Sequence, residues 1–171
     1  TLEALEITDG VATLSGGTLT VDKIEFVNGS IIQGTNIAAT TNTWLQLGGD
    51  IDGETANDRS GESVSLSADG TIMAIGAQFN DGKGSRAGHV RVYQYQGSTW
   101  NQLGEDIDGE ANYEYTGTSV SLSVDGYTVA IGAYYNNDNG TLSGHVKVYE
   151  YDGTTWNQLG GDIDGEAAED Y

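Results

Sequence analysis

The chain of 171 residues contains no cysteine and no proline. Without cysteine there is no disulfide framework and no thiolate metal site, although an extracellular location stays open. Without proline, every turn must be made by other residues. Basic residues are scarce: six Lys and Arg stand against 26 Asp and Glu, for a formal charge of −20. Such a surface repels nucleic-acid phosphates and anionic membranes, so neither is expected as a partner. It attracts cations and suits a salty medium that screens its charges. No run of 18 apolar residues is present, so no membrane span is expected. No long segment carries apolar residues at helical spacing. Gly-x-Ser-x-Gly, a P-loop and His-Glu-x-x-His are all missing, so no enzyme activity is expected; a propeller enzyme, the alternative, would need a His/Asp pair meeting across repeats, and nothing in the spacing demands one. The chain opens at Thr1 with neither Met nor a signal peptide, which suits a removed leader or a portion of something longer.

What is present is a repeat. WLQLGGDIDGE begins at Trp44, WNQLGEDIDGE at Trp100 and WNQLGGDIDGE at Trp156, 56 residues apart each time. About 31 positions are shared when residues 44–99 are laid on 100–155, and they fall in blocks. Ser63–Ser67 matches Ser119–Ser123. Ala74–Ala77 matches Ala130–Ala133. Gly88-His89-Val90, Val92-Tyr93 and Tyr95 match Gly144-His145-Val146, Val148-Tyr149 and Tyr151. Apolar and polar residues alternate within the blocks, the period of a β-strand. Asp69-Gly70 and Asp125-Gly126 read as turns between the first and second blocks, and Gln96–Ser98 and Asp152–Thr154 as turns before the Trp segment.

One repeat is therefore expected to be a four-stranded antiparallel meander of strands a, b, c and d, with the Trp segment as d, closing the preceding blade. Four strands in such a period mark the blade of a β-propeller. A β-sandwich and a linear solenoid of hairpins are the rival architectures. Neighbouring sheets must stack, which would place Val64, Leu66, Ile75, Val90, Val92, Trp100 and Leu103 in the layers between blades. The expected fold is all-β, with propeller repeats over 44–171 (44–99, 100–155 and a partial 156–171).

Gly-x-Ser-Val-x-Leu-Ser-x-Asp-Gly at 61–70, Ala-Ile-Gly-Ala at 74–77 and Gly-x-Val-x-Val-Tyr at 88–93 resemble the FG-GAP repeat of integrin α-subunit propellers and related microbial propellers. With the Trp segment added, the repeat resembles those of surface proteins of marine microbes and large algal viruses. The resemblance implies a propeller used in adhesion or recognition at a cell or virion surface. Integrin-type blades often carry an aspartate-rich calcium loop between strands a and b. Here that turn is only Ser67-Ala68-Asp69-Gly70, so that site does not carry over.

Residues 1–43 differ. Val11–Leu14, Thr18–Val21, Ile24–Val27 and Ser30–Ile32 read as short apolar strands broken by glycines, followed by a polar linker. The segment resembles the shafts of trimeric viral or phage fibres; a small β-extension packed on the propeller is the alternative. Two blades do not close a propeller. Further repeats of a longer chain, or identical subunits in a homotrimer, are expected to supply the rest.

Three groups of residues are candidates for function. Asp50, Asp52 and Glu54, and their counterparts Asp106, Asp108 and Glu110 (again Asp162, Asp164 and Glu166), lie at i, i+2 and i+4. On an extended strand they would share one face, and in a turn they could wrap Ca²⁺. Asp58 and Glu114 follow at a matched offset. The alternative is that these acids hold the turn into the next blade through hydrogen bonds to the backbone. His89 and His145, which open strand c, are expected to make a blade-stabilising hydrogen bond. The third group lies on the longer, variable connections, Thr55–Glu62 with Ala111–Thr118 and Gln78–Ala87 with Tyr134–Ser143. The meander puts both kinds of connection at one end, where recognition sites commonly sit. Phe79, Asn80, Asp81, Tyr113, Tyr115, Tyr134, Tyr135, Asn136 and Asn137 there suit contacts with a glycan or a surface protein. A purely structural fibre or coat component is the other reading.

Overall fold

The computed structural model describes residues 6–8, 11–13, 44–137 and 139–169. The chain divides into two units, Thr1–Trp44 and Leu45–Tyr171. In the first, β1 (Glu6–Thr8) pairs antiparallel with β2 (Val11–Thr13). The second of these falls on the first expected strand; the others expected before residue 44 lie outside the described residues.

The second unit is built from two sheets, and no helix occurs among the described residues. In the first sheet β3 (Ser63–Leu66), β4 (Ile72–Ala77), β5 (His89–Tyr95) and β6 (Trp100–Gln102) run in order, and β7 (Ile107–Asp108) pairs further along β5. The second sheet repeats this with β8 (Ser119–Leu122), β9 (Thr128–Ala133), β10 (His145–Tyr151), β11 (Trp156–Gln158) and β12 (Ile163–Asp164). All these ladders are antiparallel. They are propeller-like blades, and the Trp segment closes the blade that precedes it.

Strand d is broken where one continuous strand was expected. Tyr93 faces Gln102 and Val90 faces Ile107, so five steps along d oppose three along c. The two surplus residues bulge out around Gly104, whose φ is +69°. Trp156 lies against that bulge and donates from Nε1 to the Leu103 carbonyl at 2.8 Å. A Cβ on Gly104 would stand 3.0 Å from the indole. Trp100 repeats the arrangement on Gly48 and the Leu47 carbonyl, at 2.7 Å. Each of these indoles thus fastens its blade to the segment one repeat earlier.

The core lies between the sheets. Ile72, Ala74, Val90, Val92 and Ile107 of the first blade meet Val129 and Ile131 of the second, with Leu103, Val120, Leu122, Tyr149 and Trp156 at the margin. The serines of β3 face the second blade: Ser63 Oγ donates to the Gly117 carbonyl at 2.6 Å, and Ser65 Oγ accepts from Leu122 N–H at 2.9 Å. A Cβ on Gly76 would run into the same Gly117 carbonyl, so strand b must be bare there.

Val64 and Leu66 lie on the side away from the second blade and are exposed, whereas their counterparts Val120 and Leu122 are half-buried in the layer between the blades, the place expected of this pair. In β5, His89, Arg91 and Tyr93 are buried along with the valines. Strand c is covered on both faces, by the second blade on one and by the polar chain around residues 52–58 on the other.

Candidate functional site

The loops at the b–c and d–a end are stitched together before they reach the next blade. Tyr113 N–H donates to the Ser85 carbonyl at 2.7 Å, Tyr115 to Arg86 at 3.2 Å and Thr116 to Ala87 at 2.9 Å, and Gly117 then donates to Gly132 of the second blade at 3.2 Å. Glu169 to Thr141 and Gly61 to Gly76 repeat two of these bonds. Every described non-glycine residue with positive φ lies in these loops: Asn57, Arg59, Tyr113, Tyr115 and Glu169 in d–a, Arg86 and Leu142 in b–c. They occupy only three positions of the repeat. A left-handed residue with a side chain costs on the order of 1–2 kcal/mol, so the loop seam must hold each in place.

Tyr115 is thereby turned into an aromatic row that crosses the blade junction. Its ring centroid is 5.3 Å from that of Phe79, 5.8 Å from Tyr134 and 4.9 Å from Tyr135, and the last two stand 4.5 Å apart. Arg59 caps the Phe79 end at 4.2 Å from the ring, and Arg86 flanks it at 5.0 Å. Tyr115 is buried, Phe79 and Tyr135 are half-buried, and Tyr134 keeps an exposed edge. Four of the nine residues expected to bind thus come together from three separate loops.

The other five are placed differently. Asn80 and Asn136 are each 4% exposed. The Asn80 carbonyl accepts from Gly88 N–H at 3.0 Å, the Asn136 carbonyl from Gly144 at 3.1 Å, so both close the b–c loop from within. Asp81 accepts from Arg86 N–H and Asn137 from Leu142 N–H, again tying their own loops. Tyr113 is exposed and makes none of the ring contacts of the row.

β7 is only two residues long, so no extended strand carries a whole triplet, although in the last copy the Asp162 and Asp164 carboxylates lie within 4.8 Å of each other beside His145. Asp106 accepts from Gln102 Nε2 at 2.6 Å and lies 3.5 Å from His89 Nδ1 of its own blade. Asp108 faces Lys83 at 3.8 Å. Glu110 crosses to the second blade, 2.9 Å from Lys147 Nζ. In the preceding copy, Asp50 accepts from Gln46, Asp52 offers its carbonyl to Arg91 at 2.9 Å, and Glu54 lies 3.6 Å from Arg91 and 3.9 Å from His89. The triplet is a clasp: its first acid holds the strand-c histidine behind it and its last holds the strand-c cation ahead.

Glu114 is the most connected member of the clasp. It is buried, 2.9 Å from His145 Nε2, and accepts the backbone N–H groups of Glu110 and Ala111 at 2.6 and 2.8 Å. Burial alone would raise its pKa; the hydrogen bonds from His145 and the two amides outweigh it and hold the carboxyl below the ordinary 4.5. At His89, burial pulls the imidazole below its ordinary 6.5, with Arg91 adding to the effect and Asp106 opposing it.

Two groups, Glu54–His89–Asp106 and His145–Asp162–Asp164, bring their ligand atoms within 4.8 Å of one another and could hold a cation. They suit Ca²⁺ poorly. That ion takes six to eight oxygens, and here an imidazole stands among the acids while Arg91 and Lys147 supply positive charge, Lys147 Nζ lying 3.4 Å from Asp162. In the a–b turn, the Asp69 carboxylate accepts from Ser67 Oγ and from the Thr71 N–H and hydroxyl, all within the turn.

The segment from the clasp through strands a, b and c is similar to a known repeat. Residues 51–93 match the FG-GAP repeat. FG-GAP repeats occur in integrin-like adhesion and recognition proteins, are typical of extracellular proteins, commonly bind Ca²⁺ and are generally non-enzymatic. The matched stretch takes in the d–a loop, β3, β4, the b–c loop and most of β5, and the 56-residue register extends the same FG-GAP pattern through the second blade. No curated protein matches the chain.

Proposed function

We propose that the protein is a non-enzymatic recognition protein of a cell or virion surface, and that it binds a glycan or surface protein through the aromatic row. The observation that carries this reading is the convergence of Phe79, Tyr115, Tyr134 and Tyr135 across the blade junction. A core cluster would bury such rings and a solvated loop would scatter them. This row has a buried anchor, Tyr115, and an exposed edge at Tyr134. The two arginines at one end add donors suited to hydroxyl or carboxylate groups beside the flat apolar surface.

A glycan array read alongside a panel of surface proteins tests the proposal with two variants. Tyr134→Ala removes the exposed edge and is expected to lose binding at least tenfold with little change in melting temperature. Tyr115→Ala removes the anchor and is expected to lower both. Unchanged binding by a folded Tyr134→Ala chain would overturn the assignment.

A further inference from the structure

The junction between the two blades opens into a cleft at the end opposite the aromatic row, where the a–b and c–d turns lie. Gln94 and Leu103 of the first blade and Tyr127, Tyr151, Asp152 and Gly153 of the second line about 450 Å³. One wall is aromatic. Tyr127, which immediately precedes β9, and Tyr151 at the end of β10 are cross-strand neighbours, joined by the bond from Tyr151 N–H to the Tyr127 carbonyl at 2.9 Å. Their rings are nearly parallel, 13° between planes, with centroids 6.3 Å apart, and Tyr151 stands in turn 5.2 Å from Trp156. All three rings face the first blade. Gln94 Nε2 lies 3.5 Å from the Tyr127 hydroxyl, a Cβ on Gly104 would stand 3.3 Å from the Tyr151 ring, and Trp156 holds the Leu103 carbonyl. Even so, Tyr127 is 39% exposed. The first blade carries Tyr95 and Trp100 at the matched places, 5.3 Å apart, but Thr71 where the second has Tyr127. The blade plan therefore does not require this third ring.

The charge around the cleft has one sign. Among the described residues, every Lys and Arg lies toward the other end: Arg59, Lys83 and Arg86 in the loops, Arg91 and Lys147 in the first half of strand c. The turn end carries Asp69, Asp125, Glu150 and Asp152 with no basic residue among its turns. Asp152 is fixed at the rim by the N–H groups of Thr154 and Thr155 at 2.8 and 2.9 Å, and Asp125 by that of Tyr127 at 3.1 Å. An anionic ligand is repelled here. A bare metal ion would need several carboxylate oxygens converging on one point, and these are committed to their own turns. Ring faces beside fixed carboxylates suit instead a cation with an apolar shell. We propose that this cleft is a second binding site, separate from the aromatic row, for an organic cation of the quaternary ammonium class. Tyr127 and Tyr151 supply the ring faces, and Asp152 supplies the counter-charge. The site takes the free base rather than a phosphate-bearing headgroup, whose phosphate would meet the same acids.

Titration calorimetry of the full chain at constant ionic strength tests this with four probes. Choline is expected to bind, and its neutral carbon analogue, 3,3-dimethylbutanol, to bind about tenfold more weakly, because only the charge differs. Phosphocholine is expected to be weaker than choline, and methyl β-glucoside to give no heat at this site. Tyr127→Thr installs the residue that the first blade already carries at this place, so circular dichroism and melting temperature should match the parent chain while choline affinity falls about tenfold. Absence of choline binding, equal affinity for the neutral analogue, a preference for phosphocholine or for the glucoside, or unchanged choline binding by a folded Tyr127→Thr chain would each overturn the proposal.

Discussion

Asp58 and Glu114 hold the same place in successive repeats and differ by one methylene. The longer side chain reaches His145 at 2.9 Å and two backbone amides behind it, becoming a three-way hub of the second blade. The shorter one bonds Asn80 Nδ2 at 2.9 Å, and His89 is left to Asp106 and Glu54 at 3.5 and 3.9 Å. Two blades with one backbone plan thus carry different polar interiors. The loop seam and the indole stitch repeat faithfully, while the buried acid behind strand c varies.

Replacing that acid separates the two blades most sharply. Glu114→Ala strands a buried imidazole and two amides, and is expected to cost about 3 kcal/mol in denaturant unfolding. Asp58→Ala strands one amide group and is expected to cost about half as much. Equal losses would erase the distinction. Acid gives a smaller contrast. The folded-state pKa of His89 lies below 6.5, so the unfolded chain binds more protons there and stability falls as pH drops through about 6.5. Glu114 is held below 4.5 in the folded state, so its contribution is present above that value and lost only at lower pH. Melting temperatures followed from pH 7.5 to 3.5 should show His89→Gln flattening the upper part of the decline and Glu114→Gln the lower part. The smallest effect expected is that of chelation. Because Arg91 and Lys147 already neutralise the clasps, EDTA should leave the melting temperature unchanged in both blades; a fall of several degrees would make an ion part of the fold.

The strands were legible because period two and the 56-residue register reinforce each other, and because Trp at d recurs where a closing strand is needed. The break in d was not, since two surplus residues in a ladder leave no mark on periodicity. The burial of His89 and Arg91 runs against the alternation, because what covers them comes from residues 52–58, far upstream of strand c in the chain. Asn80 and Asn136 do carry a signal in the sequence: they are identical in the two copies although the loops around them vary, which marks scaffold rather than recognition. Arg59, Arg86, Tyr113 and Leu142 carried none, since nothing in those residue types announces a left-handed backbone. The aromatic row depends on those loop turns, so its members could be named from the sequence but their convergence could not.

The offset between sequence repeat and blade has a consequence for how the chain is made. Strands a, b and c of a blade leave the ribosome before the strand that completes them, which belongs to the following 56-residue unit. Each sheet therefore waits with the outer edge of strand c open until the next Trp segment emerges, and it is fastened again when the loop and strands after that segment fold against it. Folding during synthesis then advances as a moving front one blade behind the growing end, every finished blade serving as the template on which its successor is laid.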